Sequence, residues 1–193
     1  ARGGRGLSLF DLESHHTGLI ALTGGGEGKI GRLIDDADLT AAERKLDTLS
    51  GIFGPSNLFV ELQLHFEEQQ DRRNAALRAL ADSKRLPLLL TNDARMVGRD
   101  ELLLLDALTC IREKVQLQAA GKRLLQNGER FLKPAREMAA LLPDLPAAVQ
   151  NTVEIAGRCS FSLDALGYRF PQYPLPVSYT NLRTQRTVLD TGC

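Results

Sequence analysis

Apolar residues recur along the chain in two rhythms. The runs Gly18-Leu19-Ile20-Ala21-Leu22-Thr23, Leu58 to Gln63 and Leu86 to Thr91 are short, nearly continuous in aliphatic residues, and bounded by glycine, proline, asparagine or aspartate. Runs of that kind suit strands buried on both faces. Between them, Ile30, Leu33 and Ile34, then Leu46, Leu49 and Ile52 or Phe53, return at helical spacing. Thr40-Ala41-Ala42-Glu43 has the form of a capping box, so a helix should start at Ala41, and Gly54-Pro55 should stop it. Glu67 to Lys84 predicts the best helix, with Ala76, Leu77, Leu80 and Ala81 on one face and Asp71, Arg72, Arg73 and Arg78 on the other. Asp100 should cap Glu101 to Leu108, whose leucines nearly encircle the axis and predict heavy burial. From about Val115 the texture is mostly helical, with Pro134 near one helix start and Pro146 opening another over Ala147 to Cys159. Strands alternating with helices of ten or more residues predict an α/β domain with parallel pairing.

Parallel pairing has a consequence for chemistry. If the second and third strands run the same way, Glu61 and Asp93 emerge near one carboxyl edge, where ligand and metal sites gather. Two carboxylates there make a candidate cation site, and His65, two residues beyond Gln63, is a third candidate on the same edge. The plainer alternative is that these residues only mark strand ends and helix caps, with His65 beginning a solvated loop. Gly26, Gly28 and Gly31 spell G-x-G-x-x-G after a strand. The acidic partner that a dinucleotide loop requires is too far away, and Ile30 stands where a P-loop needs Ser or Thr, so a tight turn is the favoured reading. His15 and His16 are expected in a solvated loop.

Composition narrows the class further. The 193 residues suffice for a proper core, and Lys plus Arg equal Asp plus Glu at 24 each, so no field of one sign favours nucleic acid or membrane. Three cysteines far apart, Cys110, Cys159 and Cys193, form neither a disulfide framework nor a zinc spacing, which fits a reducing, cytoplasmic interior. Apolar runs such as Leu102 to Leu105 are far short of a membrane span, so no membrane partner is expected. The chain does not begin with Met and is expected to be cut from something larger.

In order along the chain, Gly18 to Gly25, Val60-Glu61-Leu62-Gln63 with His65-Phe66, Leu86 to Asp93, and Asp106-Ala107-Leu108-Thr109-Cys110-Ile111-Arg112 resemble one family. It is the bacterial C-family DNA polymerases, the replicative DNA polymerase III alpha type, and in particular its error-prone paralogue. Phe131-Leu132-Lys133 with Glu137-Met138, Asn151 to Ala156 with Cys159, and Gly167-Tyr168, Phe170-Pro171 and Tyr173-Pro174 resemble the segment joining that family's PHP domain to its palm. The resemblance implies an α/β fold for residues 1–115, the later part of a PHP domain and so a partial, distorted (β/α) barrel. It implies a mainly helical connector toward the palm over 116–176, and a non-native tail over 177–193 with weak packing of Tyr179 and Leu182.

The same resemblance bears on the site. Where family members carry a His one residue after Asn-Asp-x, this chain has Arg95, a permanent cation that repels metal and can pair with carboxylates. Glu61 and Asp93, with His65 weaker, are on this view vestigial metal ligands. Nucleotidyl transfer would use Mg on palm carboxylates lying downstream, so no residue here is catalytic and no cofactor belongs to this piece. The implied parent works on a DNA primer-template and deoxynucleotides in damage-induced translesion synthesis, with mutagenesis accessory proteins and a sliding clamp as partners. The rival reading is a free-standing PHP-type metal-dependent phosphoesterase using Glu61, Asp93 and His65.

Overall fold

The computed structural model describes residues 8–160 and Ser162. The chain divides into two units, Ala1–Cys159 and Ser160–Cys193, and the architecture below is that of the first. Its elements run α1 (Leu9–Ser14), β1 (Ala21–Leu22), α2 (Lys29–Asp35), α3 (Leu39–Phe53), β2 (Leu58–Gln63), α4 (Gln70–Lys84) and β3 (Leu88–Thr91). A short 3-10 turn, Arg99–Glu101, then leads into α5 (Leu102–Glu113), α6 (Leu117–Ala120), α7 (Ala135–Leu141) and α8 (Pro146–Arg158). The tail expected over 177–193 lies outside the described residues.

The three strands form one parallel sheet in the order β1-β2-β3. Ala21 pairs with Leu58, and Glu61 and Gln63 pair with Leu89 and Thr91, so the carboxyl ends lie on one side, as the alternating pattern predicted. β2 is central and every residue in it is buried. Its even-numbered side chains, Leu58, Val60 and Leu62, enter the main core with Ile30 and Ile34 of α2, Leu46 and Phe53 of α3, Leu77 and Ala81 of α4, and Leu90 of β3. Alternation sends Phe59, Glu61 and Gln63 to the opposite face. α7 and α8 complete the same core through Met138, Leu141, Leu145, Ala148 and Val149. The Asn151 amide of α8 donates to Leu88 O at 2.7 Å, satisfying a carbonyl of β3.

Four boundaries differ from expectation, each for a local reason. The first strand shrinks to the two residues that have a partner on β2, and Leu19 before it stays exposed. α3 starts two residues before the expected Ala41, because Asp38 rather than Thr40 is the cap, its Oδ1 accepting from Ala41 N at 2.9 Å. α4 begins at Gln70 and not Glu67, since Phe66 and Gln69 take left-handed φ values of 56° and 67° that no helix continues through. α5 is the largest departure: it has no side-chain cap, and Leu103, Leu104 and Leu108, expected to be buried, are 69%, 58% and 54% exposed. No helix among the described residues is long and apolar enough to cross a membrane.

Candidate functional site

Glu61 sits near the carboxyl end of the central strand, buried. Its Oε2 accepts from Gly24 N at 3.0 Å, just past β1, and its Oε1 accepts from Gln63 Nε2 at 2.9 Å and from Thr91 Oγ1 of β3 at 2.5 Å. One carboxylate thus ties together the ends of all three strands. The backbone reinforces the tie, because Glu61 N donates to Thr23 Oγ1 at 2.9 Å. The glycine loop serves the same packing: a Cβ on Gly28 would stand 2.1 Å from Thr23 O, and one on Gly31 2.1 Å from Gly25 O. Those glycines permit backbone to touch backbone.

His65 is fully buried rather than at the start of a solvated loop. Its Nε2 lies 2.8 Å from Asn92 O, and since a carbonyl only accepts, Nε2 carries the proton. Nδ1 then accepts from Gln70 Nε2 at 3.4 Å, while Gln70 Oε1 accepts from His65 N at 2.6 Å. Burial above all, helped by the charges of Arg130 and Lys133 and opposed by the Asn92 bond and Glu67, holds this imidazole below its ordinary value of 6.5. A base whose folded pKa is depressed takes up its proton more readily when unfolded. Stability from this source is complete above about pH 6.5 and declines as pH falls from there toward the folded value. Urea midpoints measured from pH 7.5 to 5 are expected to fall for the wild type and to stay flatter in His65→Gln; parallel profiles would contradict this assignment.

Asp93 follows β3 with a left-handed φ of 40°. Its Oδ2 accepts from Arg95 Nε at 3.1 Å and Nη2 at 2.9 Å, and from Arg130 Nη1. Arg95 also reaches Glu27 Oε1 at 2.6 Å, and buried Arg130 reaches Glu67 Oε1 at 3.2 Å. The guanidinium expected to pair with carboxylates does so. Glu61, His65 and Asp93 therefore all lie toward the carboxyl end of the sheet, with Glu61 bonded to the strand ends while His65 and Asp93 are linked through Glu67 and Arg130.

These residues do not fit a metal as they are arranged. Both Glu61 oxygens and both His65 nitrogens already have partners, and the bonded oxygen of Asp93 is shared by two guanidiniums. Among the described residues no group of three or more His, Cys, Asp or Glu side chains could hold a metal ion. His15 and His16 lie apart, bonded to Asp11 O and Glu13 O, with the His16 ring edge-on to Phe53.

Sequence reasoning missed half of the arrangement. Asn92, already quoted as part of a strand end, is buried and donates to Glu129 O at 3.1 Å and to Phe131 O, while Lys133 Nζ donates to its Oδ1 at 3.1 Å. Arg130, Glu67 and Gln70 were not singled out. Arg130 comes from a segment distant in sequence that reaches β3's end through the parallel bridge Met96–Phe131, and nothing in its neighbours signals that. Of these, Arg130 and Glu67 border a polar cleft of about 520 Å³, lined also by Glu27, Glu68, Arg95, Lys122 and Arg123.

No family model matches the chain. Curated relatives do. An error-prone DNA polymerase of Rhodopseudomonas palustris is 35% identical over 182 residues, 93% of this chain and 16% of that protein. A DNA polymerase III subunit alpha of Pseudomonas aeruginosa is 34% identical over 159 residues, 82% of this chain and 14% of its own length. An error-prone DNA polymerase of a Bradyrhizobium species is 45% identical over 109 residues, 56% of this chain and 9% of that protein. The chain thus spans between about a tenth and a sixth of the length of these relatives. Over that span it belongs with the bacterial error-prone DNA polymerases and DNA polymerase III alpha subunits.

Proposed function

We propose that this chain is a structural piece of an error-prone, damage-induced DNA polymerase of the cytoplasm, and that the piece performs no chemistry by itself. Residues 1–115 are the later part of a PHP-type (β/α) barrel and 116–176 the connector toward a palm that lies elsewhere in the parent. There, Mg held by palm carboxylates would supply nucleotidyl transfer on a primer-template with deoxynucleotides, and accessory proteins and a sliding clamp are the parent's partners. The observation that carries the reading is the match to long polymerases over 82–93% of this chain. The saturated bonding of Glu61 and His65, and the guanidiniums on Asp93, support the silent half of the reading. On this view Glu61 and Asp93 are vestigial ligands turned to structural use.

The competing phosphoesterase predicts a different result. Titrating the purified chain with Mn²⁺, Mg²⁺ or Zn²⁺ in the presence of an aryl phosphate should give no hydrolysis above a metal-only blank. Turnover that depends on metal and vanishes in Asp93→Asn would overturn the proposal in favour of the phosphoesterase.

A further inference from the structure

Helix α5 carries an apolar stripe that the other described residues leave uncovered. Leu104, Ala107, Leu108 and Ile111 recur at the spacing that keeps residues on one side of a helix. Ala107 is exposed, and Leu104, Leu108 and Ile111 are 58%, 54% and 73% exposed, while the buried residues of the helix are Thr109 and Cys110. Among the described residues, none from α5 joins the main core. A groove of about 200 Å³ lies beside the stripe, walled by Met96, Leu104, Leu105 and Leu108. The two ends of the helix carry opposite charge. Asp100, in the 3-10 turn that leads in, stands four residues before Leu104, and Lys114, the residue after α5, stands three beyond Ile111, so both prolong the stripe. Both are exposed. Arg99 pairs with Glu129 and Arg112 with Glu113, whereas Asp100 and Lys114 enter no ion pair among the described residues.

We infer that the stripe docks onto a second copy of this chain, the two α5 helices packing antiparallel about a two-fold axis. The positions are self-complementary. With the axis between Ala107 and Leu108, Leu104 faces the partner's Ile111, and Asp100 faces the partner's Lys114 at each end of the contact. The small side chain of Ala107 at the crossing lets the helices approach closely. The partner's Ile111 then enters the groove beside Leu104 and Leu108. Antiparallel packing also sets the positive end of each helix dipole beside the negative end of the other. A parallel pair would instead set Asp100 beside Asp100 and Lys114 beside Lys114, so charge selects the orientation. One helix from each copy makes a small interface, and association is accordingly weak and concentration-dependent. The contact stands independently of the polymerase reading.

Sedimentation equilibrium of the whole chain at low salt, from about 5 to about 500 μM, brackets the affinity of so small an interface. A reversible monomer–dimer equilibrium that weakens with salt is expected. Leu104→Glu and Leu108→Glu should each weaken it by roughly tenfold or more. Both positions are exposed, so an unchanged melting curve will certify the fold of these variants. Asp100→Lys and Lys114→Glu should each weaken dimerisation about fivefold alone, because like charges then face each other at both ends. Mixed in equal amounts, these two variants should pair at least as tightly as wild type, since every lysine again meets an acid. The leucine variants decide the matter even where a charge variant melts early. A chain that stays monomeric throughout overturns the inference and leaves the stripe to a different part of the parent. A dimer that survives Leu104→Glu, or a charge-swapped mixture that associates no better than either variant alone, overturns it equally.

Discussion

Replacing Glu61 with alanine should lower the free energy of unfolding by about 3 kcal/mol, roughly 6–12 °C in melting temperature for a domain of this size. The magnitude follows from what remains behind. The Gly24 N–H, the Gln63 amide and the Thr91 hydroxyl all donate to one buried carboxylate, and each comes from the end of a different strand or the loop after it. Alanine strands these donors where water has little access, and a buried unsatisfied donor costs its full desolvation. Glu61→Gln retains the shape and one acceptor, so about half the loss is expected there. A thermal melt of the three proteins decides it. A Glu61→Ala chain that melts within 2 °C of wild type, on the order of the shift one kcal/mol would give, would mean that the carboxylate does not hold the strand ends together.

Leu62→Ala should cost a similar amount, about 3 kcal/mol, by a different mechanism. Leu62 is fully buried on the face of β2 that meets the helices, in a cluster drawn from α2, α3, α4 and β3. Truncation removes transfer energy and leaves a cavity that a sheet flanked by helices can close only in part. Leu108→Ala on α5 is the contrast: with 54% of the residue exposed, the loss there should stay within about 0.5 kcal/mol. Urea unfolding followed by circular dichroism gives both numbers, with an unchanged slope confirming that only stability moved. Equal costs at the two positions would mean that the core is not where the packing puts it.

The two sites also show where sequence reasoning succeeds and where it stops. The continuous apolar run of β2 could be read directly, because a strand buried on both faces has no polar positions to spare, and its bounds came out at Leu58 and Gln63 as expected. Parallel pairing followed from strand–helix–strand alternation, and with it the common edge for Glu61 and Asp93. α5 misled because four consecutive leucines carry no directional information: hydrophobicity all round a helix is consistent with burial, and also with a face awaiting a neighbour. α3 misled by two residues for a subtler reason, since Asp38 and Thr40 have the same capping chemistry and only the backbone path selects between them.

What the amino-acid order determined by itself was the succession of the three strands and the longer helices between and after them, the central strand, the parallel sense of the sheet, and the family likeness carried by ordered motifs; the short helices α1 and α6 were not among the expected elements. These depend on neighbours within a few turns or a few residues, where spacing and side-chain type are enough. Only the tertiary structure decided what the polar residues do. Arg130 reaches Asp93 across 37 residues, Asn92 holds the Glu129 and Phe131 carbonyls, and Gln70 orients His65, so whether a carboxylate or an imidazole is free to bind a ligand depends on donors brought from distant parts of the chain. A side chain's chemistry is local, but its availability is set by who else has arrived to bond it, and in a buried site that is a property of the packed molecule.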